Sequence, residues 1–262
     1  MVNHVINAAE CRGDIKKGDR IVEASSGNTG VALSMIAAVK GYKATIVVPN
    51  TTSNIKVRMM KAYGAQILYT NAEKGVIATV QKAKRISEDH DAFLLNQFNN
   101  PDNIKSQHTI GIEILSQVEQ VDVFIAGIGT GGTLIGVAEV LKKENHETQI
   151  IAVEPYTAPV FYNMFYGERL PIGNGIPHGI EGIGESFVSE ILKKNMGIID
   201  DVILVNDQDA FQTCSRLALK EGLFVGISSG ANVWASLKQA MNVNKGMIIM
   251  TILPDNGQRY LN

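Results

Sequence analysis

The sequence predicts an α/β protein built from parallel βαβ units, and three observations carry that prediction. Short β-branched runs alternate with helix-length segments along nearly the whole chain, a pattern that requires a crossover helix after each strand. Glycines and hydroxyl residues collect where strand patterns give way to helix patterns, as at Ser25-Ser26-Gly27-Asn28-Thr29-Gly30. A length of 262 residues with 45% hydrophobic and 19% charged side chains is enough for one large core or two smaller ones.

In chain order, a helix pattern over 2–12 precedes the strand 20–23, and the small apolar run from Val31 to Val39 places a helix over 29–40. Lys43-Ala44-Thr45-Ile46-Val47-Val48 reads as a strand over 43–48. A helix over 54–63, a strand over 66–69, a helix over 74–88 and a strand over 92–95 follow. Asn99-Asn100-Pro101-Asp102-Asn103 is a turn signal and divides the chain into domains 1–100 and 101–262. The second domain continues with helix 103–118, strand 121–126, helix 132–144 and strand 149–153. Residues 155–186, rich in glycine, proline and aromatics without a period, read as a long functional loop. Strand 202–205, helices 207–221 and 230–241, and strand 246–252 complete the chain.

Composition excludes several function classes. The net charge of −2 offers no basic surface for nucleic acid. The two cysteines, Cys11 and Cys214, form no C-x-x-C, and the five histidines form no H-x-x-x-H pair, so neither a zinc site nor a disulfide framework is expected. No apolar run reaches the length of about 18 residues that spans a bilayer, and the start lacks the layout of a signal peptide. A cytoplasmic protein with no metal and no membrane partner is expected.

Three segments carry the chemistry. Ser25 to Gly30, Gly127-Ile128-Gly129-Thr130-Gly131-Gly132-Thr133 and Gly226-Ile227-Ser228-Ser229-Gly230-Ala231-Asn232 each place hydroxyls and glycines ahead of a helix pattern. Free N–H groups and the positive end of the helix dipole make such a start an anion site, although hydroxyl residues also serve there as simple caps. Gly127-x-Gly129-x-x-Gly132, with Glu154 at the end of the next strand, also fits a dinucleotide fingerprint and hence a nicotinamide dehydrogenase. That reading leaves the other two motifs unexplained. No lysine follows the glycines, which excludes a Walker-type loop.

The three motifs occur in the order Glu-Ala-Ser-Ser-Gly-Asn-Thr-Gly (23–30), Gly-Thr-Gly-Gly-Thr (129–133) and Gly-Ile-Ser-Ser-Gly (226–230). Together with Asn96-Gln97-Phe98-x-Asn100-Pro101, Gly182-Ile183-Gly184 and Pro254-Asp255-x-Gly257-x-Arg259-Tyr260, the chain resembles the cysteine synthases (O-acetylserine sulfhydrylases) over essentially its whole length. These are pyridoxal 5′-phosphate enzymes of the tryptophan-synthase-β-like fold, with two open-sheet parallel α/β domains. The resemblance implies that domain 1–100 is the smaller, substrate-carboxylate-binding one and 101–262 the larger, cofactor-phosphate-binding one. Gly129, Thr130, Gly131, Gly132 and Thr133 would hold the cofactor phosphate, Asn28 the ring hydroxyl and Ser228 the pyridine nitrogen. Ser25, Ser26, Thr29 and Gln97 would bind the α-carboxylate of the amino acid substrate, and Gly182 to Gly184 would belong to a closing loop. The implied reaction is β-replacement, O-acetylserine plus sulfide giving cysteine plus acetate, in a homodimer.

Thr29 separates the chain from serine and threonine dehydratases, which usually carry histidine there. Glu181 and the lengthened stretch from Tyr162 to Gly175 depart from the sulfhydrylase pattern toward cystathionine β-synthase-like relatives, whose nucleophile is homocysteine. The family's Schiff-base lysine falls in an Asn-Pro-x-x-Ser-x-Lys-Asp-Arg segment. Counting back from Ala9-Glu10-Cys11-Arg12-Gly13, it would stand about three positions before Met1. No catalytic lysine is therefore assigned within the chain. The expectation is an N-terminally truncated sequence, inactive on its own; the alternative is a lysine-less, non-catalytic homologue that binds the cofactor or a phosphate. Lys56, Lys61 and Lys82 read as solvated charges on helices, and Trp234, Met59 and Met60 as core.

Overall fold

The structure, a computed structural model, describes residues 1–172 and 178–260. The chain divides into two compact units, Met1–Ser106 and Gln107–Asn262. The division falls inside the helix Pro101–Gln117, which opens on a proline, whose missing N–H costs nothing at a first helical position.

In the first unit the strands are β1 (Arg20–Ala24), β2 (Lys43–Pro49), β3 (Gln66–Thr70) and β4 (Phe93–Leu94). They form one parallel sheet in the order β3-β2-β1-β4. The helices α1 (Val2–Arg12), α2 (Asn28–Lys40) and α3 (Asn54–Ala62) belong to one apolar cluster with Ile21, Ala44, Ile46 and Val48. The alternate residues Val22 and Val47 pack with Ala83 of α4 (Gly75–Asp89), so successive strand side chains serve opposite faces. Glycines close α1 and α2: Gly13 has φ 77° and Gly41 has φ 80°, the left-handed turn at which only glycine is unstrained. Glu10 of α1 accepts hydrogen bonds from Lys40 and Tyr42, both at 2.7 Å, fixing α1 to the end of α2. Arg12 reaches Asp102, the second residue of α5 (Pro101–Gln117), at 2.7 Å.

In the second unit β5 (Val123–Gly127), β6 (Gln149–Pro155), β7 (Asp201–Val205) and β8 (Ile249–Thr251) form a parallel sheet in the order β7-β6-β5-β8. The cluster of Val123, Ile125, Ile151, Val153 and Val205 packs with Ala210 of α9 (Asp207–Glu221) and with Ala231 and Ala235 of α10 (Ile227–Ala240). The intervening helix α6 (Gly132–Glu144) buries Leu134, Ile135, Val137, Ala138 and Leu141.

The expected parallel α/β architecture is present, with three differences. Two short helices, α7 (Val160–Tyr166) and α8 (Glu190–Asn195), lie inside the aperiodic stretch 155–186 and just beyond it, where no element is expected, because seven and six residues make too few turns to display a period. Helix α10 starts at Ile227, three residues before the expected start, so Ser228 belongs to its first turn. Lys56 is no solvated charge: it is 3% exposed on α3, on the face that also buries Met60 one turn later. Lys61 is exposed, and Lys82 donates from Nζ to the carbonyl of Tyr69 at 2.9 Å. Met60 is core, and Trp234 packs against the second unit's core with Lys238 Nζ 5.0 Å from its ring. Of the stretch from Tyr162 to Gly175, residues 173–175 lie outside the described residues.

Candidate active site

Each sheet reverses its strand order once, and the motifs sit at those reversals. In the first unit the chain runs from β1 outward to β3 and then returns to place β4 on the other side of β1. A crevice forms at the carboxyl ends of the two strands that flank such a switch point. The segments that follow β1 and β4 are Ser25 to Gly30 and Leu95 to Asn100. In the second unit β5 and β8 flank the switch, and they are followed by Ile128 to Gly131 and by Ile252 to Asp255.

In the first unit the Ser25 hydroxyl accepts the N–H groups of Gly27 at 3.3 Å and Gly30 at 3.0 Å, which fixes the turn into α2. Ser25, Asn28 and Thr29 are half-buried and Ser26 is exposed. The N–H groups of Asn28 and Thr29 lie in the first turn of α2, where a helix supplies no acceptor of its own. Gly30 is required by close packing: a Cβ there would lie 2.7 Å from the Ser25 carbonyl oxygen and 2.8 Å from Met60 Cε. Gln97 is buried, and its Nε2 donates to the Ala24 carbonyl at 2.9 Å, so β4's trailing loop is bonded to the end of β1.

A residue outside the predicted set organises this crevice. Glu23 is 2% exposed, and its carboxylate accepts the N–H of Ala24 at 2.9 Å and that of Gln97 at 3.3 Å. Loss of hydration pushes its pKa up to about 7 despite these bonds. The sequence offered one signal, an acid inside an otherwise apolar strand run.

In the second unit Gly131 begins α6 with φ 86°, and the Thr130 hydroxyl accepts the Gly132 N–H at 3.2 Å. The loop fits a phosphate in being free of side chains where it is most crowded. A Cβ on Gly129 would lie 2.8 Å from the Gly182 carbonyl oxygen, and one on Gly131 2.5 Å from Leu192 Cγ. What remains to face a ligand is backbone N–H, the hydroxyls of Thr130 and Thr133, and the positive end of α6. The Gly182–Gly184 loop lies against this segment, with the Gly184 N–H donating to the Ile128 carbonyl at 2.9 Å. His178 Nε2 meets the Gly184 carbonyl at 2.9 Å. Glu185, the next residue, has a pKa raised to about 7 by desolvation and was not among the predicted residues.

Ser228 is 4% exposed in the first turn of α10. Its turn is braced by the segment after β8: the Gly226 N–H donates to the Asp255 carbonyl at 3.0 Å, and Asn232 Nδ2 donates to the Ile252 carbonyl at 2.8 Å. Ser228 and Gly129 to Thr133 thus belong to one switch point, and Ser25, Ser26, Asn28, Thr29 and Gln97 to the other.

The dinucleotide reading loses its acid. Glu154 is 2% exposed and accepts the N–H groups of Phe161 at 2.9 Å and Tyr162 at 2.8 Å, so its carboxylate caps α7. Among the described residues no group of three or more His, Cys, Asp or Glu side chains could hold a metal ion, and no helix is long and apolar enough to cross a membrane. Both cysteines are free thiols.

Comparisons with known proteins agree with this geometry. The family model described as pyridoxal-phosphate dependent enzyme matches residues 1–255. A cysteine synthase of Staphylococcus aureus is 42% identical over 260 residues, which cover 98% of this chain and 80% of the relative. An O-acetylserine sulfhydrylase (isoform 3) of Entamoeba histolytica superposes with a TM-score of 0.88 at 38% identity, covering 98% of this chain and 75% of the other. An O-acetylserine dependent cystathionine β-synthase of Helicobacter pylori superposes with a TM-score of 0.90 at 34% identity, covering 99% and 82%.

Proposed function

Because the chain belongs to the pyridoxal-phosphate dependent enzymes, we propose that it acts in cysteine biosynthesis as a cysteine synthase, converting O-acetylserine and sulfide to cysteine and acetate. The observation that carries this reading is the placing of all three hydroxyl-and-glycine motifs at the switch points of two parallel sheets. When bound, pyridoxal phosphate acidifies the α-proton of an amino acid and lets its β-substituent leave.

The residues present fit the phosphate, the ring hydroxyl and the pyridine nitrogen of that cofactor. Gly129 to Thr133 would hold its phosphate through backbone N–H groups and the two threonine hydroxyls. Ser228 would meet the pyridine nitrogen as a neutral partner, which keeps the ring a weaker electron sink than a carboxylate would and so favours β-elimination over transamination. Asn28 would hydrogen-bond the ring hydroxyl. Ser25, Ser26, Thr29 and Gln97 would bind the substrate carboxylate, aided by the first-turn N–H groups of α2. In this reading residues 1–100 form the carboxylate-binding domain and 101–262 the phosphate-binding one. The enzyme would work in the cytoplasm as a homodimer, with neither nucleic acid nor membrane as a partner.

The test is complementation. The gene, carried with its native upstream DNA, is introduced into a cysteine auxotroph lacking O-acetylserine sulfhydrylase. Growth without cysteine is expected. No growth, with cystathionine forming when homocysteine is supplied, would move the reading to the cystathionine β-synthase branch, and neither growth nor cystathionine would refute both.

A further inference from the structure

Ser189 lies in none of the sequence motifs, yet it is bonded to the glycine-rich loop. It is 1% exposed at the start of α8. Its Oγ donates to the Thr130 carbonyl at 2.6 Å and accepts the Leu192 N–H at 3.1 Å. The same short helix contributes Leu192, whose side chain fills the space beside Gly131. Helix α8 therefore holds the loop by one polar bond and one apolar contact.

The polar bond has a directional consequence. The peptide joining Thr130 to Gly131 is planar and trans, so its C=O and its N–H point to opposite sides. Holding the Thr130 carbonyl toward α8 turns the Gly131 N–H away from it. A glycine in this position has otherwise wide freedom to rotate that peptide.

We propose that Ser189 is a positioning residue for phosphate binding: by fixing the Thr130 carbonyl it aims the Gly131 N–H at the phosphate of the cofactor. The proposal rests on the reading of Gly129 to Thr133 as the phosphate loop. Without the hydroxyl, the Thr130–Gly131 peptide is free to turn, and one donor to the phosphate is lost. A donor to a charged group is worth roughly a ten- to hundredfold change in affinity.

The probes are pyridoxine 5′-phosphate and pyridoxine, which carry no aldehyde and form no imine with lysines. Their dissociation constants are measured for the native chain, Ser189→Ala and Ser189→Thr, with each protein's melting temperature recorded without ligand. Ser189→Ala is expected to weaken pyridoxine 5′-phosphate by roughly ten- to hundredfold while leaving pyridoxine unchanged, and Ser189→Thr to restore binding. An equal loss for both probes in Ser189→Ala marks a merely structural role and overturns the proposal. An unchanged preference for the phosphorylated probe in Ser189→Ala overturns it too, with the loop reading intact. A native chain with no preference for the phosphorylated probe overturns the loop reading itself, and this inference with it.

Discussion

Glu23 and Gln97 join the ends of two strands that are adjacent in the sheet but 74 residues apart in sequence. The carboxylate of Glu23 accepts the Gln97 N–H at 3.3 Å, and Gln97 Nε2 donates to the carbonyl of Ala24 at 2.9 Å. Neither bond uses a cation, so Glu23 pays for its burial with a pKa raised to about 7 from an ordinary 4.5.

That shift predicts a pH dependence with a definite sign. The folded state binds the Glu23 proton more tightly than the unfolded chain does, so its contribution to stability is fully present below about pH 4.5 and is lost as the pH rises through about 7. Glu154 and Glu185 are shifted in the same direction. Glu10, Asp102 and Glu190, held down by cationic partners, act at lower pH and in the opposite sense. Urea denaturation between pH 5 and 7.5 should show stability falling as pH rises. Glu23→Gln should flatten part of that slope, by at most a few kcal/mol across the window; an unaltered slope would mean that Glu23 does not titrate there.

Gly30 predicts an overpacking effect. Its Cβ would meet the Ser25 carbonyl, which belongs to the backbone, as well as the flexible end of Met60. Gly30→Ala should cost about 1–3 kcal/mol in urea denaturation. Met60→Ala in the same chain would clear the side chain and leave the carbonyl in place, so the double variant should fail to recover the change caused by Gly30→Ala alone.

The sheets were legible because strand and helix periods recur over enough residues to separate them, and the motifs because hydroxyls and glycines cluster visibly ahead of α2, α6 and α10. What was illegible has physical reasons. Helices α7 and α8 are too short for a period, and α7 depends on a cap from Glu154, six residues before its start. Lys56 occupies an amphipathic position whose burial is decided by neighbouring elements, which no local pattern contains. Ser189 acts through a carbonyl 59 residues away, and Glu23 through an amide 74 residues away. Each is one bond to a backbone atom, and backbone atoms carry no residue type for a sequence to display.

The cap on α7 distinguishes a structural carboxylate from a ligand-binding one. In Glu154→Ala the N–H groups of Phe161 and Tyr162 lose their acceptor, at a cost of about 1–3 kcal/mol. Hydrogen exchange should accelerate at those two amides. Because the acid is committed to the cap, the native chain should show no saturable binding of NAD. Saturable NAD binding that Glu154→Ala abolishes would restore the dinucleotide reading.

Gly131 tests the loop from its own side. A side chain there meets two penalties: φ 86° lies in the left-handed region, and its Cβ would stand 2.5 Å from Leu192 Cγ. Gly131→Ala should therefore cost about 2–4 kcal/mol in urea denaturation. Leu192→Ala would open the space but leave the backbone strain, so the double variant should regain only the packing share relative to Leu192→Ala alone. If the glycine serves the phosphate as well as the fold, Gly131→Ala should also lose affinity for pyridoxine 5′-phosphate by more than for pyridoxine. A loss shared equally between the two probes would confine Gly131 to a role in folding.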